Sequence, residues 1–594
     1  MHCAKLNKKA FTLIELLIVI SLIGILAALI IVGLRAARFK AFDVKKKGDI
    51  SQINRTLEAY AAEHEESYPI SYSDNGSCTA SNSEKISDNS CAGRTLIESG
   101  YLSSVPRSVF DSVYSYLSNG KNYTLQTALY SQDNYFVATP AGLSQKKTDD
   151  PGLISQEEEK VLIIVNKNSP ESIEVGEYYK IRRNVPNSPF LVDVSASSET
   201  ISETDYTNKI ETPIKNYLTS NSLQTKINYI VLTHGIPYKI NSGSSNGHAV
   251  DSMLAGMFRP AGLTVNPYKR VISYITGSHN TGIPFDTSFG IYMVMRLDGP
   301  SSKIAKGLVD KAIYAGNYLG AGSGWAYMTG EPYLQNAITV LCAPVIAAGY
   351  ECKSDPVHLG GINALWHVSG GDNYGNSWDS WRPGAIPIHF QSFTARDTIR
   401  DTASRLAVVN NLAADATGTY GASSEPYAWG IPQPNALLDY FLNGNASLGI
   451  KHFNYAQSIY MATQVIRWRW LALGDPLYIA PDDPAIDSEK PKIDHIVTQR
   501  NGNTITVSWD NYISLNGSPE VTHGAIDYGL TQSYGQTVWD ETALISLGLT
   551  KKNYLAQHKL TIINTDPSQT YYVKIRAIDP TGNESFKELT IPVS

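Results

Sequence analysis

Polar residues with acid–base chemistry follow the ends of several apolar segments in the middle of the chain. The segments read VLIIVN, INYIVLTHG, IYMVMRLDG and INALWHVSGG. The polar residues at or just beyond their ends are Asn166, Asn168, His234, Arg296, Asp298, His367, Ser369 and Asp372. An imidazole near carboxylates and a guanidinium can act as a general base or hold a polar ligand, which makes His234, His367 and Asp372 the catalytic candidates. Any one of these side chains could instead cap a loop, and the residue types alone leave both roles open.

These side chains meet only if the apolar segments are neighbouring strands of one sheet. The segments alternate with helical patterns around residues 171–183, 301–316, 397–413 and 451–466. Strands that are apolar throughout are typical of parallel sheets covered on both faces. The pattern predicts a doubly wound α/β domain over residues 161–481. Its polar residues would lie at the carboxyl edge of the sheet, where such folds bind ligands.

The segment YIVLTHGIP resembles the histidine block of caspase-like and gingipain-like cysteine peptidases. In those enzymes a second strand ends in a cysteine nucleophile, which the histidine assists. The corresponding segment here, INALWHVSGGD, has no cysteine, and Cys342 lies in the apolar stretch ITVLCAPVIAAG. The sequence favours a non-enzymatic role without deciding the question, and a surface-tethered hydrolase with His234 as general base is the alternative. His248 with Asp251, and His389, are further candidates.

Residues 160–481 also resemble a bacterial family of exported proteins that has no assigned function. The resemblance lies in VNKNSPESIEVGEYY, VLTHGIP, MRLDGPS, WRPGAIPIHFQSF and the terminal GDPLY. It implies export but no particular chemistry. Within this region the loop SGGDNYGNSWDSW is rich in glycine, asparagine and tryptophan. Such a loop suits glycan binding by stacking and amide hydrogen bonds, or it is an ordinary surface loop.

The N-terminal apolar segment contains a carboxylate that needs an explanation. The run from Phe11 to Leu34 is unbroken except for Glu15. At about 1.5 Å per helical residue it reaches ~36 Å, which is enough to span a bilayer. An ionisable side chain at the bilayer centre costs roughly 2.5–3.5 kcal/mol or more, so Glu15 is expected to have a function.

This segment resembles the type IV prepilin signal, because the basic KKA immediately precedes FTLIEL. The resemblance implies that a prepilin peptidase cuts between Ala10 and Phe11, that Phe11 is then N-methylated, and that the apolar helix remains as an anchor. It also implies that Glu15 pairs with the N-terminal amine of a neighbouring subunit during filament assembly. Val32 stands where many major pilins carry a proline, which points away from a major-subunit role.

The residues that follow fit a pilin-like domain over residues 11–140. Ile50, Ile53, Leu57 and Tyr60 recur at helical spacing and predict that the helix continues to about residue 64. GYLSSVP, YSYLSNGKNYTLQTAL and NYFVAT then predict short antiparallel strands with an Asn-Gly hairpin turn. A long helix over a small antiparallel sheet resembles a pilin or pseudopilin headgroup. Residues 141–160 are predicted to be a polar linker.

The C-terminal region, residues 491–594, has short alternating strands and follows an acidic linker at 482–490. TITVSWD and PSQTYYVKIRAIDPTGNES resemble a fibronectin type III domain. The resemblance implies that Trp509 is the core tryptophan and Tyr571 the corner tyrosine. The whole chain is therefore expected to be a multidomain α+β and α/β protein. Its parts are a pilin-like long helix with a small antiparallel sheet, a doubly wound α/β domain and a C-terminal β-sandwich.

Composition and cysteine placement limit the partners and cofactors. A formal charge of -6 over 594 residues argues against a nucleic-acid partner. Cys78 with Cys91, and Cys342 with Cys352, form two near pairs, and export favours disulfides over free buried thiols. No cysteine pair has a histidine at ligand spacing, so the sequence predicts neither a metal site nor a cofactor.

Together these features predict a non-major type IV pilin or pseudopilin subunit. Its expected partners are prepilin peptidase, other pilin or pseudopilin subunits, and the inner or plasma membrane. Once the leader at residues 1–10 is removed, residues 11–34 would anchor the chain in the membrane. The exported bulk would then be displayed at the cell surface or on a pilus, where it would bind a surface glycan or a protein for adhesion or secretion.

Overall fold

The structure is a computed structural model of the chain. It describes residues 37, 40–71, 78, 83–88, 90–106, 114–130, 134–147, 157–241, 247–273, 277–319, 323–326, 342–354, 364–370, 381–404, 406–425, 427, 430–481, 486–512 and 519–593. The predicted leader and anchor, with Ala10, Phe11 and Glu15, lie outside these residues, as does Asp372. Among the described residues, no helix is long and apolar enough to cross a bilayer. The chain forms two compact units, the first from most of the chain up to Leu153 and the second from Ile154–Ser594.

The first unit is built on a long helix, α1, which covers residues 40–63. Ile50, Ile53 and Leu57 are fully buried along one face of this helix, as the spacing predicted. A second helix, α2 (Cys91–Glu98), begins at Ser90, whose side chain accepts a hydrogen bond from the backbone of Gly93. The apolar side chains of both helices belong to one core with those of the sheet.

A five-stranded antiparallel sheet completes the first unit. Its strands lie in chain order and are β1 (Glu84–Lys85), β2 (Ser115–Ser118), β3 (Tyr123–Ala128), β4 (Asn134–Thr139) and β5 (Gly142–Lys147). The Asn-Gly pair predicted to turn a hairpin does so between β2 and β3, where Gly120 has a φ of 85°. The prediction of a strand in GYLSSVP was wrong. Residues 101–106 instead form a loop that follows α2, and Leu102 and Val105 are buried in it.

The second unit contains a six-stranded sheet that combines parallel and antiparallel pairing. Its strands, in spatial order, are β18 (Gly418–Ala422), β20 (Trp470–Gly474), β13 (Met293–Leu297), β9 (Tyr229–Thr233), β6 (Val161–Asn166) and β7 (Phe190–Val192). Neighbouring strands are parallel from β20 to β7, and only β18 runs antiparallel. Every residue of β6, β9, β13 and β20 is buried, so the sheet is covered on both faces.

Helices and short strands surround this sheet. The helices are α3 (Pro170–Arg182), α4 (Glu203–Tyr206), α5 (Thr212–Ser220), α6 (Val250–Ala255), α7 (Ser302–Tyr318), α8 (residues 342–347), α9 (Ala407–Ala413), α10 (Pro434–Asn443) and α11 (Tyr455–Met461). Small sheets are formed by β8 (Thr200–Ser202), β10 (Lys239–Asn241) and β11 (His248–Ala249), and by β12 (Thr264–Val265) with β19 (Val465–Ile466).

Two of the predicted helices are much shorter than the sequence pattern indicated. Residues 397–404 form turns instead of the start of a helix, because their backbone and side chains bind distant acidic groups; the amide of Ile399 donates to Glu199, for example. Only Ala407–Ala413 of that stretch is helical. In the last stretch, Tyr455–Met461 is helical and Val465–Ile466 is a strand paired with β12.

The segment INALWHVSGG forms a strand, but not in the six-stranded sheet. It is β16 (Ala364–Gly370), which belongs to a separate parallel sheet with β14 (Ser323–Ala326), β15 (Glu351–Ser354) and β17 (Ile388–Phe390). The expectation that His367 shares a sheet edge with His234 was therefore wrong. Hydrophobic pattern shows that a strand is buried but not which sheet contains it.

The C-terminal region of the second unit is rich in antiparallel β-structure. Its strands are β21 (Lys492–Asn501), β22 (Thr504–Tyr512), β23 (Thr522–Gly529), β24 (Gln536–Trp539), β25 (Glu541–Leu544), β26 (Leu549–Lys552), β27 (Tyr554–Leu555), β28 (Gln557–Ile562), β29 (Tyr571–Ile578) and β30 (Glu584–Ile591). One sheet is ordered β21-β22-β28, and another is ordered β24-β23-β29-β30 with β27 beside β23. Trp509 is buried in the shared core, and the backbone of Asp566 donates to the hydroxyl of Tyr571 at 3.0 Å.

Candidate functional site

His234 and Asp298 meet at the carboxyl edge of the six-stranded sheet. They directly follow β9 and β13, which are adjacent and parallel, with Thr233 in register with Leu297. The next residue of each strand therefore lies at the same edge. Nδ1 of His234 is 2.7 Å from Oδ1 of Asp298, and the imidazole side chain is 15% exposed.

Two arginines also bind Asp298. Arg400 donates from Nη2 to Oδ2 at 2.6 Å and from Nε to Oδ1 at 2.9 Å, which is a bidentate contact. Arg296 donates from Nη1 to Oδ2 at 3.0 Å. The amide of Gly299 donates to Oδ1 at 2.9 Å, so each carboxylate oxygen has several donors.

Arg296 extends the network to a second buried carboxylate. Its Nη2 donates to Asp251 at 2.8 Å, and its Nε lies 3.1 Å from the other oxygen of that group. The remaining guanidinium hydrogens bind the carbonyls of Ile236 and Pro237 at 2.8 and 3.0 Å. Arg296, Asp251 and Asp298 are each fully buried. Two carboxylates thus face two guanidinium groups, and this balance is what makes the burial of four charges tolerable.

The charges around Asp298 determine its protonation. Burial alone would raise the pKa of Asp298, but the charges of Arg400 and His234 and the hydrogen bonds from both outweigh it and hold the pKa well below its usual range. For Asp251, burial outweighs the ion pair with Arg296 and raises the pKa. Asp298 is therefore ionised at neutral pH. Because an ionised carboxylate can only accept, Nδ1 of His234 is the donor in this contact.

The turn after His234 is held by residues that the sequence also singled out. Asn166 donates from Nδ2 to the carbonyl of Gly235 at 2.9 Å. Gly235 has a φ of 90°, and a Cβ there would lie 2.6 Å from Oγ of Ser169, so only glycine fits. Asn168 donates to Asp193 and to the carbonyl of Val194. Both asparagines therefore position loops in this structure.

The other histidine candidates lie apart from this network. His367 is on β16 and packs beside Trp381, with ring centroids 5.8 Å apart. His389 is on β17, with Nε2 3.3 Å from Oδ1 of Asn411. His248 is on β11 and packs edge-on against Trp468. Asp251, which the sequence paired with His248, binds Arg296 instead.

Sequence reasoning missed Arg400, which completes the site. It lies in the turns of residues 397–404, which were predicted to be helical, and its partner Asp298 is 102 positions earlier in the chain. No local spacing relates the two residues. The one sequence signal was charge: Asp298 was predicted at the carboxyl edge of the sheet, and a carboxylate that is buried there needs a cation.

The described cysteines supply no nucleophile. Cys342 and Cys352 are joined in a disulfide with a Cα–Cα distance of 5.5 Å. Cys78 and Cys91 are joined in a second one, with a Cα–Cα distance of 5.6 Å. A thiol partner for His234 is thus absent from the part of the chain that the structure describes.

Comparison with known proteins identifies one motif. A family model for the prokaryotic N-terminal methylation motif matches residues 5–31. The match includes the expected cleavage point and most of the predicted anchor. It indicates a type IV pilin-type precursor that a prepilin peptidase processes and that assembles with pilin subunits. No curated protein matches the chain.

Solved structures resemble parts of the chain at low TM-scores. A fibronectin type III domain of human collagen alpha-1(XX) is 16% identical and covers 19% of this chain and 92% of its own, with a TM-score of 0.13. The sixth fibronectin type III domain of a human fibronectin type III domain containing protein is 16% identical and covers 18% and 91%, also at 0.13. OgpA from Akkermansia muciniphila is 9% identical and covers 46% and 93%, at 0.15.

Proposed function

We propose that this chain is a non-major type IV pilin or pseudopilin subunit that displays a large exported domain for adhesion or partner binding. The observation that carries the proposal is the methylation motif at residues 5–31. The first compact unit supports it, since a long helix buries Ile50, Ile53 and Leu57 in one core with an antiparallel sheet. That is the arrangement expected of a pilin headgroup.

The proposed function gives specific roles to three residues. Cleavage falls between Ala10 and Phe11, and the new amine of Phe11 is methylated. Glu15 remains in the anchor at residues 11–34, where its carboxylate pairs with the amine of a neighbouring subunit. An unpaired carboxylate in the bilayer is costly, so this pairing favours assembly with other subunits over a solitary membrane helix.

The size of the second unit argues for low copy number. It spans Ile154–Ser594, about three times the length of the first unit. Such bulk on every subunit would crowd a filament, whereas a tip or sparse position accommodates it. This position would present the α/β region and the C-terminal β-sandwich to a surface glycan or a protein partner.

Immunogold electron microscopy of the native cells tests this proposal. The antibody is raised against residues 491–594, and a second antibody against the major pilin serves as the density reference. Label at filament ends, or sparsely along filaments, is the expected result. Label confined to the cell body beside bare filaments would contradict a filament role and leave a membrane-held protein.

A second candidate function is favoured by the site at the sheet edge. His234 is oriented by an ionised carboxylate through Nδ1, and Nε2 is the atom that would accept a proton, which is the arrangement of a general base. A surface-tethered hydrolase that uses this base is the corresponding proposal. Activity on peptide and glycoside panels would have to vanish in His234→Ala, and the matched variant His389→Ala would have to retain it. Equal activity of both variants would reject His234 as the base.

A further inference from the structure

Three carboxylates from separate parts of the C-terminal region meet in the interior. Asp487 precedes β21, Glu520 precedes β23 and Asp579 follows β29. One carboxylate oxygen of each lies within 4.8 Å of one from each of the others. Their exposed fractions are 3%, 0% and 2%, respectively, so water does not screen their mutual repulsion.

Two of the carboxylates are held in place by hydrogen bonds. Asp579 accepts from the amides of Thr581 and Asn583 at 2.8 Å each, and from the side-chain amide of Asn583 at 2.9 Å. Asp487 accepts from the hydroxyl of Tyr314 at 3.0 Å and from the amide of Glu489 at 3.1 Å. These contacts fix the positions of both groups around the centre of the cluster.

Glu520 is different, because neither of its oxygens accepts a hydrogen bond from an N–H or hydroxyl donor of the described residues, and its polar neighbour is the carboxyl of Asp487. A fully buried carboxylate without a donor is rare, since desolvation costs several kcal/mol per ion. The carboxylates of Asp487 and Asp579 add to that cost, because their charges repel an ionised Glu520 at this distance. Arg382 donates to the carbonyl of Pro580, next to Asp579, and its single charge would not balance three carboxylates if all were ionised.

We propose that Asp487, Glu520 and Asp579 bind a calcium ion. Calcium takes oxygen ligands at about 2.3–2.6 Å, so two oxygens on opposite sides of one ion are about 4.8 Å apart. The spacing of the three carboxylates fits within that limit. A hard divalent cation would also satisfy both oxygens of Glu520 and offset the charge of the cluster.

A calcium ion at this site would stabilise the contact between the C-terminal β-structure and the α/β region. Asp487 binds Tyr314 of α7, and Tyr314 packs with Val521, the neighbour of Glu520. A bound ion would thus tie the segment before β21, the start of β23 and the turn after β29 to one helix of the α/β region. This role is independent of the proposed pilin function and of the His234 site.

Calorimetric titration of the full-length chain in detergent tests the proposal. The chain is first stripped with EDTA and then titrated with calcium chloride. One ion per chain is expected, with a Kd of about 1 mM or tighter, as in extracellular calcium modules. Terbium is a second probe, because Tyr314 beside Asp487 is placed to sensitise its luminescence.

Glu520→Gln is the informative variant, since it keeps the shape of the side chain and removes the charge. Its calcium affinity should fall at least about tenfold, because a neutral amide replaces a carboxylate ligand. Glu541→Gln is the matched control at an exposed position of the same region, and it should bind as wild type does. The unfolding temperature of wild type should rise with calcium and rise less with magnesium.

Two outcomes would overturn the proposal. If wild type takes up neither calcium nor terbium, the cluster is neutralised by a proton shared between Glu520 and Asp487. If Glu520→Gln binds calcium as tightly as wild type, the ion occupies another site. The wild-type titration needs no variant, so the test stands even if Glu520→Gln fails to fold.

Discussion

Asp298 is the residue on which the sheet-edge site depends. It accepts from Arg296, Arg400, His234 and the amide of Gly299. The two arginines are buried or nearly so, with side chains 0% and 13% exposed. Both arginines need the negative charge of Asp298 for the chain to fold. His234 adds a titratable group that these ion pairs do not require. The structural and functional parts of the site can therefore be separated by substitution.

Asp298→Asn should destabilise the second unit strongly. The substitution keeps the shape but removes the charge that two guanidinium groups share, and breaking a buried pair costs about 3–5 kcal/mol. Asp193→Asn is the matched control, because Asp193 is 66% exposed and pairs with Lys167 at the surface. Water and salt screen such a pair, so this substitution should leave the unfolding midpoint close to that of wild type. Urea unfolding of the full-length chain in detergent measures both. Equal midpoints for the two variants would show that the network contributes nothing to folding.

The stability contributed by Asp298 should be lost only in strong acid. Its pKa is lower in the folded chain than in the unfolded chain, so between those values the unfolded chain binds the extra proton and stability rises with pH. The contribution is present above pH ~4 and declines below it by up to about 1.4 kcal/mol per pH unit. Arg296, Arg400, His234 and Asp251 face this carboxylate. The measurement compares the free energy of unfolding of His234→Gln with that of the double variant His234→Gln, Asp298→Asn, so that the imidazole does not contribute. If the difference between these two free energies became smaller as the pH rises from 5 to 7, the expected sign would be wrong.

At the scale of elements, a glycine sets how closely α3 approaches the sheet. A Cβ on Gly176 would lie 2.3 Å from Cγ1 of Val165 on β6 and 3.4 Å from Cγ2 of Ile163. β-branched side chains have few alternative rotamers, so the contact cannot be relieved cheaply. The same strand ends in Asn166, which holds the turn after His234.

Gly176→Ala should therefore cost about 1–3 kcal/mol, as overpacking does elsewhere. Gly316→Ala on α7 is the control, since the nearest atom to its Cβ would be the Ile479 carbonyl oxygen at 3.6 Å, an ordinary contact. Replacing that glycine should instead stabilise by up to about 1 kcal/mol, because the unfolded chain loses freedom. Thermal unfolding of both variants measures these changes: the unfolding temperature should fall for Gly176→Ala and rise for Gly316→Ala. A gain for both would mean that α3 tolerates the extra methyl group.

Local pattern predicted the elements far better than their arrangement. The spacing of Ile50, Ile53 and Leu57 predicted a buried helix face, and the all-apolar strands predicted a sheet covered on both faces. Local pattern could not predict that β16 belongs to a second sheet, because strand pairing is decided by contacts between residues that are far apart in sequence. The turns at residues 397–404 have the same cause. The amide of Ile399 donates to Glu199 and the side chain of Arg400 donates to Asp298, and both acceptors are far away in the sequence.

The same limit applied to the candidate sites. His234 and Asp298 were predicted at one edge because each follows an apolar strand, and parallel neighbours bring such positions together. Arg400 and the carboxylate cluster were not predicted, because their partners come from segments with no shared spacing. Asp487, Glu520 and Asp579 span more than 90 positions, and the spacing of cysteines and histidines gives no sign of an all-carboxylate site.

At the scale of the whole molecule, the N-terminal motif makes a covalent prediction. Protein isolated from the native cells should begin at an N-methylated Phe11, because the matched motif at residues 5–31 includes the expected cleavage point. Intact mass and N-terminal peptide analysis measure both changes. Retention of residues 1–10 in the mature protein would contradict processing of the pilin type.

The final prediction separates anchoring from assembly. Glu15→Val should still be cleaved and remain in the membrane fraction, because the substitution makes residues 11–34 more apolar and removes an ionisable group from them. It should be lost from sheared filaments, since the amine of a neighbouring subunit would have no carboxylate to pair with. Leu17→Val, two residues further along the predicted anchor, is the control and should enter filaments as wild type does. If Glu15→Val is recovered in sheared filaments at the wild-type level, the carboxylate has no role in assembly, and other contacts bring the chain into the filament.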